Sequence, residues 1–216
     1  MKDRSRFPKI IIFSVLLLIG ILTCINPVYP DEQYLQHLGT IILLGVLFYD
    51  LRKHTLSSFA FVCFALLIFF HIIGARYIYS YVPYHKWINV IINALNIESV
   101  PNLPDRNGYD RFVHFAFGIL VFPIIYEYLI TIKTFNKTLL IFFTLTVIQT
   151  ISMLYELFEW GLTLVLSPEA ANDYNGQQGD MWDAQKDMFL ALSGAILIAL
   201  IYLFLKRTNT ITKQDH

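Results

Sequence analysis

The chain has 216 residues, of which 56% are hydrophobic, 16% aromatic and 15% charged, against about 25% charged in an ordinary soluble domain. That balance excludes a water-soluble globular domain and fits an integral membrane protein. A formal net charge of zero excludes the basic footprint of a nucleic-acid-binding protein, and two cysteines are too few for a disulfide framework or a cysteine zinc cluster.

Six apolar runs stand out, at residues 7–25, 34–49, 56–75, 112–132, 138–163 and 188–205. Each is close to the about 20 residues that a spanning helix needs. None alternates polar and apolar residues as a barrel strand would. The fold expected is all-α: a polytopic bundle of six transmembrane helices in one domain over residues 1–216.

The first run follows Lys2, Arg4, Arg6 and Lys9 and has the shape of a signal-peptide core. No small-residue cleavage site follows it in Cys24-Ile25-Asn26-Pro27, so it reads as a retained anchor. Cys24 and Cys63 sit inside apolar runs and read as two small buried thiols. Arg52-Lys53, the turn from Lys133 to Lys137 and the Lys206-Arg207 tail fall at the same end as the N-terminus. The excess of Lys and Arg there predicts cytoplasmic termini.

The third run ends with His71, Gly74 and Arg76, and the first long connection opens with Tyr77, Tyr79, Tyr81 and Tyr84. These tyrosines suit an interfacial aromatic belt. From Lys86 to Asn96 the polar residues Lys86, Asn89, Asn93 and Asn96 recur at helical spacing among Trp87, Val90, Ile91 and Leu95. That pattern predicts an amphipathic helix lying on the outer surface. Pro101-Asn102-Leu103-Pro104 and Asn107-Gly108 then turn the chain back.

The fourth run opens with Asp110 and His114, four apart and therefore on one helix face. A carboxylate beside an imidazole can orient a general base or supply two metal ligands. The plainer alternative is a helix cap and a packing histidine. On the fifth run Gln149, Ser152, Glu156 and Glu159 draw a single polar stripe down an apolar helix. The stripe should face the bundle interior, because ionisable groups facing lipid are costly. Two carboxylates on one face suit a divalent cation or acid–base work, and the alternative is hydrogen-bonding glue between helices.

Asn175-Gly176 and Gly179 mark tight turns before the sixth run. That run is entered through Asp180, Asp183 and Asp187 in the string GDMWDAQKDM, with Gly194 continuing their face. Acids at a helix start need no special account, but Asp187 lies too far along for that. Gly194 is small enough for close helix approach.

Four segments thus bring acids and imidazoles to one depth at one end of the bundle. The metal ligands expected are Asp110, Glu156, Asp183 and Asp187. His114, His71, Glu156 and Glu159 are the expected catalytic groups. Arg76 and Arg111 could neutralise nearby acids or equally grip a phosphate or carboxylate ligand, and with Tyr79 and Gln185, in the connections over the cluster, they are the expected substrate contacts. Oxygen-rich ligands suit Mg²⁺, Mn²⁺ or Ca²⁺, and histidines keep Zn²⁺ open.

His71 to Pro83 (HIIGARYIYSYVP), Tyr109 to Gly118 (YDRFVHFAFG), Tyr155 to Trp160 (YELFEW) and Gly176 to Met188 (GQQGDMWDAQKDM) resemble the YjdF-type bacterial inner-membrane proteins, a family defined by a domain of unknown function. The resemblance implies an inner-membrane location and supports the architecture and the site position, and it implies no activity. More distantly, the Asp-x-x-x-His-Phe opening and the acid-to-glycine helix are similar to VanZ-like membrane proteins, which are linked to glycopeptide-antibiotic tolerance.

Three functions follow from these residues. The first is a divalent-metal-dependent enzyme or binder for a lipid-linked or envelope molecule at the outer leaflet, with the bilayer as its other partner. The second is an ion- or proton-coupled transporter using the stripe up to Gln149 and Ser152. Few polar residues in the inner halves of the spans, Glu127 excepted, speak against it. The third is a structural or accessory protein whose polar cluster fixes helix packing.

Overall fold

The computed structural model describes residues 6–95, 106–132 and 136–211. Asn96, the 101–104 turn, Lys2, Arg4 and Lys133 lie outside the described residues. In chain order the helices are α1 (Arg6–Thr23), α2 (Pro30–Lys53), α3 (Ser58–Arg76), α4 (Tyr84–Ala94), α5 (Tyr109–Ile132), α6 (Lys137–Thr163), α7 (Pro168–Asn175) and α8 (Asp183–Ile211). Six of them, α1, α2, α3, α5, α6 and α8, are long and apolar enough to cross a membrane.

Two spans run longer than hydropathy alone marks them. α2 starts at Pro30, because proline is favoured in a first helical turn and Asp31 and Glu32 follow it there. α8 starts at Asp183, so its first two turns carry Asp183 and Asp187, which hydropathy leaves outside the span.

α5 is the hub and packs on α3, α6 and α8. Its tightest partner is α8, because glycines remove the side chains that would hold the two axes apart. A methyl on Gly118 would collide with the backbone oxygen of Ala191 and fall 2.7 Å from Ala195 N. One on Gly194 would collide with Phe115 O and fall 3.2 Å from Ile119 N. Gly194 therefore does what its place on the Asp187 face predicts.

Leu47, Phe61, Ile68, Phe122 and Ile148, from α2, α3, α5 and α6, fill the middle of the bundle with apolar side chains. α1 is peripheral, with only Lys9 and Leu16 buried. That corrects the expectation for Cys24, which is exposed near the end of α1, whereas Cys63 is buried as expected. α4 has no buried residue. Its apolar residues Trp87, Val90 and Ile91 are exposed, as suits an amphipathic helix lying in a membrane interface.

The end of the bundle that holds the α2–α3 turn carries a closed polar network. Lys9 Nζ donates to Asp50 Oδ2 and to Leu56 O, each at 2.8 Å, and lies 4.9 Å from the centroid of the Phe61 ring. Asp50 Oδ1 accepts from Thr55 N, Thr55 Oγ1 and Leu56 N. Glu127 Oε2 accepts from Ser57 N at 2.8 Å and Oε1 from Ser57 Oγ at 2.7 Å. Ser57 itself caps α3 by accepting from Ala60 N. Glu127 is thus a fixture of the α3 N-terminus.

Candidate functional site

At the opposite end, α5, α6 and α8 each turn a buried acid toward the same point. Asp110 and His114 are successive turns of α5, Glu156 comes from the buried stripe of α6, and Asp187 is one turn into α8. All four are buried. One ligand atom from each of Asp110, His114 and Asp187 lies within 4.8 Å of the other two, a spacing that suits a metal ion. His114 Nε2 is 3.7 Å from Asp110 Oδ1 and 3.6 Å from Glu156 Oε1. Those separations are too long for hydrogen bonds. Asp187 Oδ1 and Glu156 Oε1 are buried without a hydrogen-bond partner.

Further along the α6 stripe, Ser152 is buried and neither Ser152 Oγ nor Gln149 Oε1 has a hydrogen-bond partner. Glu159 is buried one turn beyond Glu156, bonded to the Tyr155 side chain. Tyr174 of α7 is buried near it, and burial together with the Glu159 charge pushes its hydroxyl up to about 12.

Asp183 plays a different part from the one its spacing suggests. Arg106 and Arg111 both reach it, and Arg111 also pairs with Asp180. Lys186 adds a contact of 2.5 Å to Asp180. With Lys186, the Trp182 amide and Arg111 around it, the Asp180 carboxyl is held well below the usual carboxylate range. Arg106, which no periodicity picks out, also donates to Gln177 O and Gly176 O. Asn107 and Gln178 exchange hydrogen bonds of 2.9 and 3.0 Å. These contacts fasten the segment before α5 to the segment before α8, forming a roof over the acids. Gly176, in the left-handed region at φ +69°, lies close under it: a Cβ there would be 3.7 Å from Asp110 Oδ2.

His71 is already occupied. Its Nε2 lies 3.2 Å from Gln36 O and its Nδ1 lies 2.6 Å from the Tyr79 hydroxyl. A carbonyl only accepts, so in the neutral ring Nε2 donates to Gln36 and Nδ1 accepts from Tyr79. Tyr79 reaches the histidine because Ile78 and Tyr79 both adopt left-handed backbone, at φ +42° and +50°. This folds the Tyr79 ring onto Gly74, where a Cβ would be 2.5 Å away. A β-branched residue at positive φ is an outlier, and such strain collects at functional sites. Burial, and next the charge of Asp110, drive the Tyr79 hydroxyl well above its ordinary range.

The structure therefore gathers Asp110, His114, Glu156 and Asp187 at one point, with Glu159 a turn away and Asp183 and Arg111 in the roof. It does not bring Arg76 to them. That guanidinium caps α1 by donating to Thr23 O at 2.6 Å and Asn26 O at 2.8 Å. Gln185 is exposed.

α2 carries a further buried polar face, outside the residues that the sequence singles out. Gln33, Gln36, His37 and Thr40 are buried along one face. Gln33 Nε2 donates to Thr23 O at 2.7 Å and lies 3.2 Å from His37 Nε2. Their spacing of three, one and three was the available signal.

Asp110 and His114 also line a cavity of about 270 Å³. Its walls are Gly39, Ile42 and Leu43 of α2, Leu67 and His71 of α3, Val113 and Phe117 of α5, and Ile151, Ser152 and Tyr155 of α6. Tyr79 completes the lining beside Asp110.

Comparison with known proteins agrees with the architecture. The chain is 30% identical over 165 residues to the inner membrane protein YjdF of Escherichia coli (strain K12), a match covering 72% of this chain and 70% of that protein. No solved structure matches. The family described as "Predicted membrane protein (DUF2238)" matches residues 8–208, and the chain belongs to that family.

Proposed function

We propose that Asp110, His114 and Asp187 hold a divalent cation, and that the protein uses it to bind and act on an anionic envelope molecule at the outer leaflet. The observation that carries this reading is the convergence of three buried ligand atoms within 4.8 Å beside buried carboxylate oxygens, on Asp187 and Glu156, that lack partners. A buried charge is normally paired or coordinates a metal. Compared with the four ligands read from spacing, Asp110 and Asp187 are kept, His114 joins them, Asp183 is engaged by the arginines, and Glu156 is left beside the three for acid–base work. Two carboxylates and an imidazole favour Mn²⁺ or Zn²⁺ over Mg²⁺ and Ca²⁺, which take oxygen ligands.

A metal here would polarise a phosphoryl or carbonyl oxygen and lower the pKa of a bound water. Glu156, whose Oε1 is buried and unpartnered, would serve beside the cation as the general base. Arg111 in the roof suits the charge of a phosphate. The excess of Lys and Arg at the opposite end supports an outward-facing site and cytoplasmic termini. A transport path is less well supported. Glu127, the main polar residue of the inner half, is engaged by Ser57, the cap of α3, and apolar side chains close the middle of the bundle.

The test is metal content by mass spectrometry of detergent-purified protein, wild type beside Asp187→Asn and His114→Ala. Near-stoichiometric Mn or Zn in the wild type, lost in both variants, is expected. A well-folded wild type that neither retains nor takes up a divalent metal would sink the reading.

A further inference from the structure

The cavity beside the acids is built unlike a water-filled substrate pocket. It starts at the Asp110 and Tyr79 level under the roof and continues past His114 to Phe117. On α5 that is seven residues, roughly 10 Å along the helix axis. Its depth therefore follows the direction of the spans, from the site end toward the middle of the bundle. Beyond the His71, Asp110 and Ser152 positions its walls are aliphatic or aromatic: Leu43, Leu67, Val113, Phe117 and Ile151. Apolar cavities stay dry and accept hydrocarbon; one of ~150 Å³ accepts a benzene ring, and this one is about 270 Å³.

Helix packing and exposure point to a lateral opening. α2 packs on α1, α3 and α7, while α6 packs on α5, α7 and α8. The cavity lies where those two helices part, and its edge residues Ile42 and Ile151 are exposed on the bundle's side. In a membrane that side faces acyl chains.

We infer that the cavity between α2 and α6 takes one hydrocarbon chain of a phosphate-headed membrane amphiphile, which enters sideways from the bilayer and places its head at Asp110, His114 and Asp187. The chain lies along Leu67, Phe117 and Ile151. The phosphate meets the cation, with Arg111 near it. This deepens the metal reading and rests on it for the head group, whereas the chain site rests on the cavity alone. Two sources share the chemistry: a phospholipid with a phosphate monoester head, and an isoprenoid-chain phosphate. The His71–Tyr79 pair stands in the cavity wall with its hydrogen bonds already made, so it shapes the cavity next to the head without competing for the metal.

The experiment uses the full chain in lipid nanodiscs loaded with Mn²⁺. The probe is phosphatidic acid with a photoreactive diazirine midway along one acyl chain, and labelled residues are mapped by peptide mass spectrometry. Labelling of Leu67, Phe117 or Ile151 peptides that saturates with probe is expected. It should fall about tenfold or more in Ile42→Trp/Ile151→Trp, which plugs the mouth at two exposed positions and leaves the metal residues untouched. Bound Mn²⁺ in that variant certifies the fold. Competition by unlabelled isoprenoid phosphate or by unlabelled phosphatidic acid assigns the source, either one supporting the inference. Labelling that never saturates, or that is unchanged in the plugged protein with Mn²⁺ still bound, places the chain in the surrounding bilayer and overturns the chain site while sparing the metal. Saturable labelling in a wild type that binds no Mn²⁺ would overturn the metal reading and spare the chain site.

Discussion

Replacing Gly194 by alanine should loosen the α5–α8 pair and with it the site. Two effects oppose each other. Alanine in a helix interior is better than glycine by about 0.5–1 kcal/mol. Against this, the new methyl meets Phe115 O inside contact distance, with Phe115 C and Ile119 N each at 3.2 Å. All three are backbone atoms of a packed helix and cannot swing away, so the axes must part by something on the order of 1 Å. Overpacking of this kind costs about 1–3 kcal/mol, so destabilisation wins. Gly118→Ala meets Ala191 and Ala195 from the other side and should behave alike, with less than additive loss in the double variant because the two share one interface. Gly45 in α2 and Gly161 in α6 are built-in controls, since a Cβ at either meets nothing within 4 Å. Their alanine variants should be neutral or slightly stabilised. The assay is equilibrium unfolding in mixed micelles, with Mn²⁺ binding measured on the same samples. α5 carries Asp110 and His114 and α8 carries Asp187, so Gly194→Ala should weaken metal binding as well as stability. Equal stability of Gly194→Ala and Gly45→Ala would refute the close-approach argument.

Two further outcomes follow from the polar networks at the bundle's ends. Lys9→Met leaves Asp50 buried with its counter-charge gone and should cost about 3–5 kcal/mol, whereas Lys9→Met/Asp50→Leu should recover much of that; unfolding in the same micelles decides it, and an inert single variant would rule the idea out. Asp180→Asn should lower thermal stability at neutral pH. Because the folded-state carboxyl is held below its ordinary value, its contribution is complete above the unfolded value of about 3.9 and disappears as pH falls through the folded one. The gap between wild type and Asp180→Asn should therefore be constant from pH 7 to about pH 4 and close only in stronger acid. A gap that closes already near neutrality would show that other groups set it.

The parts of the fold legible in the sequence are those governed by local periodicity. Six apolar runs became six spans because length and hydropathy are properties of a single helix. Asp110 with His114, the Glu156 stripe and Gly194 behind Asp187 were legible for the same reason: spacing fixes a helix face, and a charged face must turn inward. What escaped depends on contacts between distant segments. Arg106 meets Asp183 across 77 positions of chain, and Arg76 caps α1 across about fifty. No periodicity encodes either contact, so Asp183 reads as a ligand and Arg76 as a substrate contact until the segments are placed. His71 becomes satisfied only through the left-handed turn at Ile78 and Tyr79, which neither residue type announces.

The strongest reason for reading the acid cluster as a site lies at the other end of the same molecule. Asp50 and Glu127 are also buried carboxylates in a membrane-spanning bundle. There every carboxylate oxygen has a partner: Lys9 and the Thr55 and Leu56 groups for Asp50, the Ser57 amide and hydroxyl for Glu127. That is what a polar network looks like when its role is to fix helix ends, because an unmet buried charge is costly. At the α5–α6–α8 end this chain leaves Asp187 Oδ1 and Glu156 Oε1 unmet and holds His114 Nε2 3.6–3.7 Å from two carboxylates. Arginines are at hand, yet they engage Asp180 and Asp183 instead. Moving one of them a turn inward would satisfy the acids if packing were their only purpose. The proposed cation on Asp110, His114 and Asp187 would meet the Asp187 oxygen and leave Glu156 Oε1 free as the base beside it, and it would account for the arginines' place in the roof, where they can meet a ligand's negative charge without displacing a cation.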